Sequence, residues 1–111
     1  MNDRVCIILA SRDRDVLKWG LRYAWKSTTE KYLEDIKVII FGPSEKVIAQ
    51  DKELQESAKR FMDLGKDIIA CKACSDEEGV SDKLAELGIK VEYVGSIIGQ
   101  AIKEGYVPMV W

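Results

Sequence analysis

The chain contains no histidine. That absence removes Ser-His and Cys-His nucleophile pairs within one chain, the imidazole base, and any Cys/His zinc finger. Only two prolines and three cysteines occur in 111 residues. An odd, small cysteine count argues against a structural disulfide framework. No apolar run approaches the length needed to span a bilayer. The start, Met1-Asn2-Asp3-Arg4, carries no cleavage-type sequence, so no signal peptide is expected and the expected location is cytoplasmic. There is also little net charge, −2 in total. Neither a nucleic-acid nor a membrane partner is expected from it.

Several phosphate-binding signatures are missing too. The loop after the first apolar run is Ala10-Ser11-Arg12-Asp13, without the glycines of a dinucleotide fingerprint, and no P-loop is present. A receiver domain would place an aspartate where Cys71 stands. A cysteine phosphatase or rhodanese often has an arginine six residues after its cysteine, and that position is Glu77. Lys72-Ala73 between two cysteines does not resemble a thioredoxin motif.

What is present is a regular alternation of apolar runs and helical patterns. Hydrophobic residues make up 47% of the chain, which suits one globular domain over residues 1–111. Val5 to Ala10 reads as a central strand buried on both faces, with Cys6 as a small core hydrophobe. A helix follows from about Asp13 to Tyr32, with Leu17, Leu21, Ala24 and Trp25 on its buried face. Arg14, Lys18, Arg22 and Lys26 recur along another face, which reads as a solvated stripe in preference to a docking strip. Strands are expected near 35–41, 67–71, 90–94 and 107–111. The second ends at Gly42-Pro43-Ser44. A helical stretch from Glu45 to Leu64 is expected to break near Gln50-Asp51, with Leu54, Ala58, Phe61 and Met62 as its apolar stripe. Helices are also expected over 81–87 and 97–104. Pro108 puts the last strand at an edge or at its own start. The sum is β-α-β-α-β-α-β-α-β, a parallel sheet with helices on both faces. Strand order does not follow from the residues.

The chemistry concentrates in Ile68-Ile69-Ala70-Cys71-Lys72-Ala73-Cys74-Ser75-Asp76-Glu77-Glu78-Gly79. Ile68 to Cys71 reads as a short buried strand. Ser75 with Glu78 forms a capping box, so a helix is expected to begin at Ser75. A thiol at the carboxyl end of a strand, facing a helix amino terminus, stands where open α/β sheets bind ligands. The peptide dipoles there favour the thiolate, and Lys72 would help. Asp76, Glu77 and Glu78 would oppose it if they turned inward. Cys71 and Cys74 are therefore the candidate catalytic residues. Two thiolates fall short of the four ligands of structural zinc; pairs from two subunits could supply four sulfurs across an interface, and a dithiol redox role is a further alternative, but nothing in the residues requires either, and no metal or cofactor is expected.

An apolar strand ending in Cys71, with Glu77-Glu78-Gly79-Val80 placing a glycine eight residues on, resembles the DsrE/DsrF-like sulfur-relay family. Cys71-Lys72-Ala73-Cys74 is similar to the Cys-Gly-Thr-Cys of one branch. The likeness extends to the polar loop after the first strand, the turn at Gly42 and the helix-strand unit from Ala101 to Trp111. Glu77-Glu78 differ from the basic or small residues common among relatives. The resemblance implies a three-layer α/β/α subunit with a mainly parallel five-stranded sheet, of the flavodoxin-like class, assembled as a homo-oligomer of three or six. It also implies a persulfide carrier or sulfurtransferase-type protein, with sulfane sulfur accepted on Cys71 and passed between donor and acceptor proteins. Cys74 would resolve the persulfide or merely begin a helix. The competing expectation is a non-catalytic oligomeric module that binds a small molecule or partner, its cysteine inert.

Overall fold

The computed structural model describes residues 3–111. Five strands form one sheet in the order β4-β3-β2-β1-β5: β1 Arg4–Leu9, β2 Asp35–Ile40, β3 Ile68–Cys71, β4 Lys90–Glu92 and β5 Val107–Val110. Every pairing is parallel. Six helices connect them: α1 Arg14–Thr29, α2 Ser44–Gln50, α3 Lys52–Met62, α4 Lys72–Glu78, α5 Ser81–Glu86 and α6 Gly95–Lys103. The α/β architecture read from the sequence is thus present, with a sheet that is wholly parallel. No helix among the described residues is long and apolar enough to cross a membrane.

Alternation along the strands sends successive side chains to opposite faces. On one face Val5, Ile7, Leu9, Ile36, Val38, Ile40, Ile68 and Ala70 form a large core with α1, α2, α3 and α5. On the other, Cys6, Ile39 and Cys71 meet Val94, Ala101 and Tyr106 in a smaller cluster beneath α6. The topology accounts for this asymmetry. The chain steps one way from β1 to β4, so crossovers of one hand fall on one face. It then reverses to reach β5, which carries α6 to the opposite face.

Local chemistry sets the breaks. Asp13 caps α1, accepting a hydrogen bond from the Asp15 amide at 2.8 Å. Asp51 leaves helical geometry and caps α3 through the Leu54 amide. The Gln55 amide nitrogen donates to the Ile48 and Ala49 carbonyls at the end of α2. The expected break at Gln50-Asp51 is therefore a cap shared by two helices. Pro108 lies on β5, an edge strand paired only with β1 among the described residues, as its missing N–H requires.

The basic stripe on α1 is neutralised from within. Arg14 bridges Asp51, Glu53 and Asp15; Lys26 pairs with Glu30; the Arg22 guanidinium lies over the Trp19 ring. The three tryptophans have different surroundings. Trp19 is exposed, Trp25 lies under Arg60, and Trp111 packs on Tyr23 and beside Gly20, where an added Cβ would stand 3.2 Å from its ring.

Candidate functional site

Two neighbouring strand-to-helix junctions meet at the carboxyl edge of the sheet. In one, β2 ends at Ile40 and the chain turns through Gly42, at φ +69°, into α2. Ser44 begins that helix but does not cap it. Its hydroxyl donates back to the Leu9 carbonyl at 2.5 Å and to the Phe41 carbonyl at 3.0 Å. This pins the turn to the end of β1 and holds the next residue, Glu45, inside the protein. In the other junction, β3 runs directly into α4.

That second junction differs from the sequence expectation. The helix starts at Lys72, three residues before the Ser75–Glu78 capping box. Ser75 is buried inside the helix, bonded to the Lys72 carbonyl and to the Ser81 hydroxyl. Gly79, at φ +72°, closes α4, and the Val80 amide reaches back to the Ser75 carbonyl at 2.9 Å. That is a Schellman-type end, which glycine permits. Cys71 consequently occupies the cap position itself, and Cys74 lies in the first helical turn.

Cys71 and Cys74 are therefore brought together, and a third residue joins them. The Glu45 carboxylate and the two sulfurs all lie within 4.8 Å of one another. Cys71 is 6% exposed and packs with Cys6, Ile39 and Val94. The rim position read from the sequence is right, but the sulfur is shielded. It accepts no capping hydrogen bond among the described residues. Cys74 is half-buried, and no disulfide joins the two. Lys72, expected to favour a thiolate, is turned to Asp76 at 2.8 Å. Glu77 and Glu78 are exposed.

Glu45 is the residue that sequence reasoning missed. It is 0% exposed, and neither carboxylate oxygen has a hydrogen-bond partner of ordinary geometry among the described residues. Burial pushes its carboxyl up to about 8; the Cys74 thiol nearby pulls the other way, and Glu78 adds to the rise. It is largely protonated at neutral pH. Burial likewise pushes the Cys74 thiol up to about 11, reinforced by the hydrogen bond towards Cys71 and opposed by the Gly42 amide. Cys74 thus keeps its proton at neutral pH. Cys6 is a core residue, as expected, its thiol raised by burial and lowered somewhat by Lys37.

These features define a class: a parallel α/β domain with a shielded dithiol and a buried carboxyl at the carboxyl end of its sheet. Neither a known family model nor a curated protein matches the chain. Solved structures do. A conserved protein of unknown function from Bacteroides thetaiotaomicron, BT1422, superposes with a TM-score of 0.89 at 27% identity, covering 98% of this chain and 95% of that one. The ychN protein of E. coli gives 0.72 at 15% identity, covering 97% and 99%. MTH1491 of Methanobacterium thermoautotrophicum, also of unknown function, gives 0.70 at 20% identity, covering 99% and 100%. The α/β fold is therefore one already seen in solved proteins, matched over nearly the full length of the chain.

Proposed function

We propose that this protein is a DsrE/DsrF-like sulfur carrier that holds sulfane sulfur on Cys71. The observation that supports this most is the placement of Cys71 at the end of β3, at the cap position of α4, with the Cys74 sulfur within 4.8 Å. The Cys71 thiolate attacks the outer sulfur of a donor persulfide, R–S–SH. The donor S–S bond breaks, R–S⁻ leaves, and Cys71–S–SH forms. An acceptor thiolate removes that sulfur, or Cys74 attacks the inner one to give a Cys71–Cys74 disulfide and HS⁻. No histidine is needed for either step. Shielding suits a carrier, because a buried persulfide is protected from water and oxidants.

One observation favours the inert reading: Cys71 is buried and receives no amide hydrogen bond. Intact mass after incubation with a sulfane-sulfur donor separates the two. One added sulfur is expected, lost in Cys71→Ser and kept in Cys6→Ser, with more persulfide accumulating in Cys74→Ser. No added sulfur, with Cys71 unreactive to alkylation in the folded protein, overturns the carrier.

The oligomer belongs to the same proposal. The sheet face under α6 has one helix to cover it among the described residues, against four on the other. Pairing of Cys6 with Pro108 and Ile8 with Val110 puts Pro108 and Val110 on that face. Val110 and, on α6, Ile102 are exposed. Further copies of this chain would cover them. Sedimentation at micromolar concentration is expected to show three or six chains; a clean monomer overturns this.

A further inference from the structure

We propose that Glu45, Cys71 and Cys74 form a binding site for one zinc-type divalent cation per chain, with the fourth coordination position open to an exogenous ligand. The site shares Cys71 and Cys74 with the proposed carrier chemistry but does not depend on it.

Two independent observations meet here. The first is geometric. Two sulfurs and a carboxylate oxygen, drawn from α2, the end of β3 and the first turn of α4, lie within 4.8 Å of one another. A tetrahedral zinc ion, with Zn–S near 2.3 Å and Zn–O near 2.0–2.2 Å, needs its ligands under about 4 Å apart. Small side-chain movements close that difference. The second is the unpaired carboxylate. Glu45 is wholly buried, and neither oxygen has a partner of ordinary geometry among the described residues; the Cys74 thiol, a weak donor of the same cluster, is nearby. Buried polar groups are almost always satisfied, and an orphan in a native fold asks for an ion, a water or a chemical role. A cation between Glu45 and the two sulfurs would supply the missing partner.

The donor set chooses the ion. Two thiolates favour zinc or cuprous copper over magnesium or calcium, and a carboxylate beside them favours the divalent, borderline zinc ion. Three protein ligands and a free position are the pattern of a reactive zinc site; four would close it. The ion's ligands must be deprotonated, so binding releases to buffer whatever protons the three donors hold.

The test uses the full chain, reduced with a phosphine, stripped of metal and desalted. Zinc is titrated in competition with a chromophoric chelator, and cobalt is followed by visible absorption. One ion per chain is expected. Cobalt should show the intense bands of a four-coordinate site together with sulfur-to-metal charge transfer. Glu45→Gln and Cys74→Ser should each weaken zinc by at least about tenfold to a hundredfold, the loss that even outer-shell changes cause, while the exposed Glu56→Gln on α3 leaves it unchanged. Circular dichroism confirms that each variant is folded. Cys74 is half-exposed, so its variant keeps the test decisive if a change at Glu45 unsettles the fold. No stoichiometric uptake, a six-coordinate cobalt spectrum, or wild-type affinity in folded Glu45→Gln overturns the site. The two proposals fail separately: metal-free protein that takes up sulfur but binds no zinc overturns this one alone, and zinc binding without sulfur uptake overturns only the carrier.

Discussion

Replacing Glu45 with glutamine is expected to stabilise the metal-free protein above pH 8 by about 3–5 kcal/mol and to change little near pH 4.5. Burial pushes the Glu45 carboxyl from an ordinary 4.5 up to about 8. Between those values the unfolded chain has released the proton and the folded chain retains it. The folded state then binds more protons, so stability falls as pH rises, by up to about 1.4 kcal/mol per pH unit. Above about 8 the charge is buried without a partner and the full penalty is present. Glutamine has nearly the same shape and no proton to lose, so it escapes this slope. Urea unfolding of both proteins at pH 5 and pH 8.5, with chelator present, measures the difference. Parallel pH profiles would mean that the carboxyl has found a partner or water in solution. Asp35 carries the opposite sign. Burial raises its carboxyl, but Lys66 and Tyr106 outweigh that and hold it below the usual range. Its contribution is present above the unfolded value and is lost as pH falls through the folded one. The Glu45 window is therefore read from the difference between variant and wild type, in which the Asp35 contribution cancels.

The same carboxyl marks where sequence reasoning stopped. An acidic residue in the first turn of a helix normally faces water and complements the helix dipole. Nothing in Pro43-Ser44-Glu45 says otherwise. Its burial comes from α2 packing against α4, whose residues lie some thirty positions on. Only the assembled junctions reveal it. The break at Asp51 was legible because a capping aspartate acts within a few residues of itself. The start of α4 was misread for a related reason. Ser75 and Glu78 have the spacing of a capping box, but β3 enters the helix without an intervening loop, so Cys71 takes the cap. Cys71 at a strand end was also legible, since a four-residue apolar run before a polar helix fixes it. Its shielding was not, because Val94 and the residues beneath α6 come from the other end of the chain. Strand order, set by which crossover reverses direction, had no local signal at all.

Phe61→Ala is expected to destabilise the protein by about 3–5 kcal/mol, a large part of the 5–15 kcal/mol typical of a domain. Phe61 sits on the stripe of α3 with Leu54 and Ala58, all three buried. It is wholly inaccessible to solvent and belongs to the larger core with Ile40, Ile68 and Leu84. Truncation loses the ring's transfer from water and leaves a void that the surrounding structure fills only in part. The walls of that void cannot collapse easily. Ile40 is paired on both sides, with Leu9 and Ala70, Ile68 is paired with Val38, and α3 is fixed at its start by the Asp51 cap. Phe61→Leu keeps most of the volume and should cost well under half as much. Denaturant midpoints for the three proteins check the ordering. An alanine variant within about 1 kcal/mol of wild type would mean that α3 slides to refill the space. The same measurement bears on the site, because α2 and α3 share the Asp51 junction. A displaced α3 would carry α2, and with it Glu45, away from the two sulfurs.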